Sequence, residues 1–382
     1  MKFLCRALCV LFIAVCALRA AQEEESPLGD FAPLDDDLVL YIPKFAVKLG
    51  FRGIGGVKTS FGGKGVLFST ADLDSSVGTA DRRYHDGYVL LDTRTVFDPS
   101  GNAVPITPDG RTNTWSFLDN TKQVTPEGLI AMHSYAVSTT DSSFTEKDPG
   151  TGFGLELSLD REIGNVFGTK MKWGVVGGVS VNQIYSTTSG GLAGNVTTTT
   201  DYYSLGGQAA PTAPFTGPTF GGSVDTTPLL GSDLLQRTTE TNTDSAAILS
   251  TWKVRGAYMT FRAGASLFVP ISNRFSAMMS AGAVLVYAGS TYDVTQTFKP
   301  DTGDSITQYI SDGASTLLPG FYADASLQFA MNDTAGLYVG AVYQSSGDYT
   351  QDALSADGNS KYSTRVDLSS LQGIRAGVSF KF

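Results

Sequence analysis

The sequence has 382 residues and a formal net charge of −10, and its three cysteines all lie within the first 16 residues. Loss of an N-terminal segment containing Lys2, Arg6 and Arg19 would change the charge to −13, which disfavours nucleic-acid binding. Because no cysteine follows Cys16, the rest of the chain can form neither a disulfide nor a thiolate metal site.

The N-terminal segment 1–20 has the pattern of a secretory signal peptide. Basic residues precede an apolar run that ends at Leu18, and small residues follow it. We expect cleavage after Ala17, Ala20 or Ala21. The next segment, 21–44, is acidic and contains three prolines, and it is predicted to be a flexible periplasmic leader. The remaining residues, 45–382, are predicted to form one domain.

Several stretches of this domain alternate apolar residues with small or polar ones, as strands do when one face meets an apolar environment. In chain order they are 45–52, 151–160, 171–182, 252–269, 275–287, 317–329, 337–343 and the stretch from about 361 to 382. After residue 20 no apolar run reaches the roughly 20 residues that a membrane helix needs. A membrane-spanning barrel needs no such run, because only alternate residues face lipid. The sequence therefore predicts an all-β fold, an antiparallel transmembrane barrel.

The clearest strand, 275–287, has aromatic residues at both ends of its apolar face. Phe275 and Tyr287 are 12 positions apart, which corresponds to roughly 30 Å along the membrane normal for a strand tilted by about 40°. This distance is close to the height of the lipid-facing band between two aromatic girdles. We predict that Phe275, Tyr287, Trp173 and Tyr343 belong to such girdles.

The connections between the strands alternate in length. Those at 163–169, 270–273 and 331–334 are short, whereas those at 53–150, 187–250, 299–305 and 346–360 are longer or more polar. Short periplasmic turns and long extracellular loops are typical of outer-membrane barrels. Both ends of the domain fall on the short-turn side, which requires an even number of strands. Eight strands are counted, or ten if 53–150 contains two more.

The last strand is apolar at alternate positions up to the final residue. These positions are Ile374, Ala376, Val378, Phe380 and Phe382. The ending resembles the C-terminal assembly signal of bacterial outer-membrane barrels. Fragments within 53–150, among them Asp86-Gly-Tyr-Val89 and Gly128–His133, also resemble uncharacterised members of that class. The resemblance implies an envelope location, as for small OmpA-type or porin-like barrels, and implies no chemistry.

Charged residues of both signs occupy the face opposite to the apolar one. They are Lys48, Arg52, Glu156, Asp160, Lys172, Arg262, Asp324 and Arg375. The interior of a barrel of about eight strands is only wide enough for side chains to fill. Because an unpaired buried charge is costly, we expect these residues to neutralise one another in a network that closes the lumen. An ion-conducting path is the alternative.

The only histidines are His85 and His133, both in the loop-rich region. Adjacent strand residues point to opposite faces, so His133 and Ser134 do not form a catalytic pair. We find no motif for a nucleophile, a metal or a phosphate, and expect no catalysis, no metal and no cofactor.

The first hypothesis is an outer-membrane barrel with a structural or surface-interaction role. The alternatives are a narrow porin for small solutes, a barrel hydrolase acting on lipid or peptide, and a secreted soluble β-sandwich. Expected partners are outer-membrane lipid, lipopolysaccharide and the barrel-assembly machinery, with no nucleic acid.

Overall fold

The computed structural model describes residues 45–68, 80–139, 145–148, 150–166, 168–218, 228–356 and 358–382. The predicted signal peptide and leader, 1–44, lie outside these residues.

Antiparallel strands make up most of the described chain. They are β1 Phe45–Gly55, β2 Lys58–Phe68, β3 Arg82–Tyr84, β4 Gly87–Val89, β5 Thr95–Phe97, β6 Ala103–Pro105, β7 Arg111–Thr112, β8 Trp115–Phe117, β9 Leu129–Thr139, β10 Thr145–Lys147, β11 Gly152–Asn165, β12 Lys172–Ser204, β13 Phe215–Thr216, β14 Leu230–Gly231, β15 Gln236–Pro270, β16 Phe275–Phe298, β17 Ile306–Ala330, β18 Ala335–Ser345, β19 Asp348–Leu354, β20 Ser360–Asp367 and β21 Leu371–Lys381. A four-residue helix, α1 (Asn120–Gln123), begins after Asp119, whose side chain accepts a hydrogen bond from the Thr121 N–H. No helix among the described residues has the length and apolar character to cross a membrane.

The main sheet closes into a ring. Hydrogen-bonded ladders join β1 to β11, then β12, β15, β16, β17, β18, β21 and finally β1 again. At the closing seam the Phe382 N–H donates to the Phe45 carbonyl at 2.9 Å, and the Phe45 N–H donates back at 3.3 Å. The predicted antiparallel barrel is confirmed. Closure leaves no exposed edge at this level, which is what a strand-built wall needs in lipid.

Above this ring, most strands continue as offset segments of the same wall. β2 follows β1 after a corner at Gly56, whose φ of +88° favours glycine and where a Cβ would lie 2.2 Å from the Ser370 carbonyl oxygen. Likewise β9 and β10 lead down into β11, β18 continues into β19, and β20 into β21. The upper segments pair in the order β12–β9–β2–β20–β19.

The prediction of a loop over 187–250 is wrong for the first and last parts of this range, which are strands. β12 continues to Ser204 and β15 starts at Gln236, and the two pair as a long ribbon in which Thr197 faces Thr241. Threonine favours strands, but most residues of this ribbon are polar, and its buried apolar residues, such as Leu192 and Ile248, are too few to show an alternation. The reading from apolar alternation therefore missed it. The polar stretch 346–360 similarly contains β19.

The described residues between 53 and 150 also form several strands rather than a simple loop. β13, β8, β4 and β3 form a four-stranded sheet in that order, which we call the cap sheet. Trp115 and Phe117 of β8 are fully buried, and the Trp115 ring lies 4.6 Å from that of Phe215. Together with Ile130, Met132 and Tyr203 of β9 and β12 they form a separate hydrophobic core. The extracellular side thus carries a packed element of its own.

Candidate functional site

Inside the lower barrel, three arginines from three strands converge on Glu156 of β11. Its carboxylate lies 3.3 Å from Arg375 Nη1, 3.5 Å from Arg52 Nε and 3.7 Å from Arg262 Nη2. Asp324 holds two of the same arginines, at 2.6 Å from Arg375 Nη2 and 3.0 Å from Arg262 Nη1. All five residues are buried.

A second pair lies nearer the periplasmic turns. Lys48 Nζ is 2.7 Å from Asp160 Oδ2, and both side chains are almost entirely buried. Lys172 does not join them; it pairs with Glu162 at 2.8 Å, and both side chains are partly exposed. The structure thus brings together seven of the eight residues expected in the lumen and leaves Lys172 outside their cluster.

Tyrosines fill the space between these charges. The Tyr338 hydroxyl donates to Glu156 Oε1 at 3.0 Å, and the Arg375 guanidinium lies 5.7 Å from the Tyr338 ring. Arg262 lies over the Tyr322 ring in the same way, at 5.4 Å. Four cations and three carboxylates form this cluster inside the lower barrel, and we call the cluster the ion-pair layer.

An apolar layer fills the barrel above the ion-pair layer. The Phe61 ring of β2 lies 6.3 Å from the Trp252 ring of β15 and 6.0 Å from the Tyr292 ring of β16. Tyr362 of β20 and Val254 are also fully buried. These side chains come from different parts of the wall and are buried against one another inside it.

The exterior of the lower barrel is apolar and exposed. The four residues expected in the girdles, Phe275, Tyr287, Trp173 and Tyr343, are between 40% and 52% exposed. Of the C-terminal positions, Ile374, Ala376, Phe380 and Phe382 are exposed and Val378 is half-buried. In a soluble sandwich such a surface would face water, whereas on a closed barrel it is the face that meets lipid.

The two histidines lie together on the extracellular side, where the turn between β3 and β4 meets β9. Asp86 is fully buried and accepts hydrogen bonds from the His133 N–H at 2.8 Å and from the His133 ring at 2.5 Å. His85 Nδ1 accepts the Tyr135 N–H at 3.0 Å. Burial lowers the pKa of His85, against the opposing effect of the Asp86 charge. These bonds satisfy the backbone N–H groups of His133 and Tyr135 on β9.

Sequence reasoning missed Asp201 of β12, which is a buried carboxylate on the extracellular side, as Asp86 is. Arg237 Nε and Nη2 donate to its two oxygens at 2.6 and 2.7 Å, and the Tyr84 hydroxyl donates at 2.6 Å. Burial and then the hydrogen bond to Asp201 raise the pKa of Tyr84. The cross-strand pairing of Asp201 with Arg237 would have indicated this contact, had 187–250 been read as a ribbon. In the described part of the chain, no three His, Cys, Asp or Glu side chains are arranged to hold a metal ion.

Closure, an apolar exterior and a polar interior occur together in this chain. It is an outer-membrane β-barrel. The short turns β11–β12, β15–β16 and β17–β18 lie at the same end as Phe45 and Phe382, as in barrels of the bacterial outer membrane.

No protein-family model matches the sequence, and no curated protein matches it. Among solved structures, the chain is similar to the outer membrane protease OmpT from Escherichia coli, with 8% identity, 92% of this chain and 99% of that chain covered, and a TM-score of 0.30. It is also similar to Ail of Yersinia pestis, with 10% identity, 89% of this chain and 99% of that chain covered, and a TM-score of 0.23. The similarity to OprG from Pseudomonas aeruginosa has 12% identity, 89% of this chain and 95% of that chain covered, and a TM-score of 0.26. At these identities and TM-scores, the similarity supports no statement about the activity of this chain.

Proposed function

We propose that this protein is a closed, non-catalytic barrel that anchors a folded surface element in the outer membrane and acts through interactions at the cell surface. The observation that supports the proposal is the two sets of side chains buried inside the barrel. An ion-pair layer and an apolar layer lie one above the other, and a solute would have to disrupt both.

The cap sheet supports the surface role, because its core of large apolar side chains stabilises a defined shape outside the membrane. The proposed partners are outer-membrane lipid and lipopolysaccharide around the wall, and the barrel-assembly machinery for the last strand.

A narrow porin is the competing function, and electrical recording separates the two. Residues 21–382 refolded in detergent are inserted into a planar lipid bilayer, with a known open porin as the positive control. We expect no stable conductance steps, because desolvating an ion across the apolar layer is too costly. Steady, voltage-independent steps would contradict the closed barrel and favour the porin.

The proposal that the protein is not an enzyme rests on the histidine contacts. His85 Nδ1 and both oxygens of Asp86 are occupied by bonds to β9. Hydrolysis of peptide or lipid substrates by the refolded protein, lost in His133→Ala and retained in Glu162→Gln, would overturn it.

A further inference from the structure

The outer wall carries a polar notch just above the apolar exterior, on β15, β16 and β17. It is a shallow open cavity of about 360 Å³, bordered by Arg255, Thr291 and Ser315. On β16 it begins two residues above Tyr287, the girdle residue at the upper end of the lipid-facing stretch. A lipid headgroup would lie at this height.

Two glycines on the adjacent strands β16 and β17, Gly289 opposite Ser315 and Gly313 opposite Thr291, keep this notch open. A Cβ at Gly289 would approach only the Ser315 Cβ, at 4.0 Å, and a Cβ at Gly313 would meet no described atom within 4 Å. Neither glycine has a positive φ, so the backbone does not require glycine at either position. The missing side chains leave room that the fold itself does not use.

Two cations of β15, Lys253 and Arg255, lie beside the notch on the same outward face, about 6.6 Å apart along the strand. Arg255 Nη2 is 2.9 Å from Asp293, yet its side chain remains 55% exposed. Lys253 Nζ lies 5.8 Å from the ring centroid of Tyr185.

Asp293 forms an ion pair with Arg255 and lies opposite Lys253 in the register of β15 and β16. It also accepts hydrogen bonds from Tyr309 at 2.8 Å and Ser311 at 2.6 Å, so its oxygens are already occupied. By contrast, Lys58, Lys361 and Arg365 on the upper wall each have an acidic partner of their own. The notch is therefore a locally cationic spot on an acidic protein.

We propose that this notch binds the phosphorylated sugar headgroup of a glycolipid in the outer leaflet. Lys253 and Arg255 contact the phosphate, and the glycine floor and the hydroxyls of Thr291 and Ser315 accommodate the sugar. Tyr185 and Tyr309, which are 47% and 61% exposed, offer apolar ring faces beside it. The inference rests on the proposed membrane location, since the lipid face fixes the height of the notch.

The test is native mass spectrometry of residues 21–382 in detergent with diphosphoryl lipid A as the probe. We expect a one-to-one adduct, retained about a hundredfold less by Lys253→Gln/Arg255→Gln, because each of the two lost charge-assisted bonds removes roughly one factor of ten. Gly313→Leu should weaken the adduct similarly by filling the notch without changing charge. The matched control is Arg365→Gln, since Arg365 is also 55% exposed and paired to a carboxylate at 2.7 Å; it should bind as the unmodified chain does.

Equal retention by all variants would overturn the site. Displacement of the adduct by equimolar inorganic phosphate would overturn the lipid assignment, and equal retention of phosphatidylglycerol would overturn the requirement for a sugar. The single variants Lys253→Gln and Arg255→Gln provide the same comparison if the double variant does not fold. Heat-modifiable gel migration is recorded for each, so a chain that never forms a barrel counts against the membrane proposal and not against the notch.

Discussion

At the residue scale, Glu156 is the centre of the charge cluster inside the barrel. It is the carboxylate that three arginines share, and Asp324 alone could not balance them. A buried ion pair contributes little beyond an apolar replacement, but removing one partner leaves uncompensated charge behind. The cost of losing Glu156 should therefore greatly exceed that of losing an exposed carboxylate.

We predict that Glu156→Gln lowers the unfolding free energy in detergent by about 3–5 kcal/mol. The measurement is unfolding in urea, with the folded fraction at each urea concentration determined from migration on an unheated gel. Glu162→Gln is the control, since the Glu162–Lys172 pair is partly exposed and should contribute about 0–1 kcal/mol. Equal midpoints for the two variants would show that Glu156 does not balance the arginines.

His85 gives the extracellular side a dependence on pH. Its Nδ1 must be unprotonated to accept the Tyr135 N–H, and burial lowers its pKa in the folded state. The unfolded state therefore binds more protons than the folded state. The contribution of His85 to folding stability is fully present above the ordinary histidine pKa, and it is lost as the pH falls through the lowered pKa of the folded state. Asp86, His133 and Tyr135 are the titratable groups that surround it.

We predict that the region 80–139 is cleaved faster by added protease at about pH 5 than at about pH 7.5, beyond the protease's own pH dependence on an unfolded substrate. In His85→Gln, whose amide oxygen can still accept a hydrogen bond, this difference should shrink. An unchanged difference would assign the effect to another group.

At the scale of the element, β21 completes the wall. It pairs with β18 on one side and β1 on the other, and without it both neighbours would expose a strand edge within lipid. Its outward residues alternate with Arg375, which enters the ion-pair layer. One strand therefore contributes both to the lipid face and to the lumen.

We predict that deletion of 371–382 abolishes the faster migration that a folded barrel shows on an unheated denaturing gel. Removal of Phe382 alone loses two backbone hydrogen bonds but keeps the ladder from Lys381, so the compact band should persist and convert at a lower temperature. Faster migration of the 371–382 deletion would mean that β1 and β18 can close the ring without β21.

At the scale of the whole molecule, the wall continues beyond the lipid-facing stretch and encloses two sets of interior side chains, one ionic and one apolar. The apolar layer contains Phe61 and Trp252, whereas the ion-pair layer lies among β1, β11, β15, β17 and β21. Opening one layer should leave the other in place.

We predict that Phe61→Ala/Trp252→Ala is strongly destabilised, by about 3–5 kcal/mol for each buried ring, yet still shows no conductance in a planar bilayer. Conductance steps in this variant and not in the unmodified chain would show that the ion-pair layer does not seal the lumen.

The sequence by itself determined the barrel and both faces of its lower wall. A period of two is visible wherever one face meets lipid and the other meets a packed polar lumen, as from Phe275 to Tyr287. The same alternation assigned Arg52, Glu156 and Arg375 to one side.

Only the tertiary structure decided which charges meet, and what lies above the membrane. Lys172 has the same alternation as the other charges but pairs locally with Glu162, because its height in the barrel, and not its face, sets its partner. Outside lipid the period fades: the upper β12–β15 ribbon has too few apolar residues to show an alternation, and the cap sheet depends on contacts such as Trp115 with Phe215, a hundred residues apart. Such contacts follow from chain topology, which local patterns do not encode.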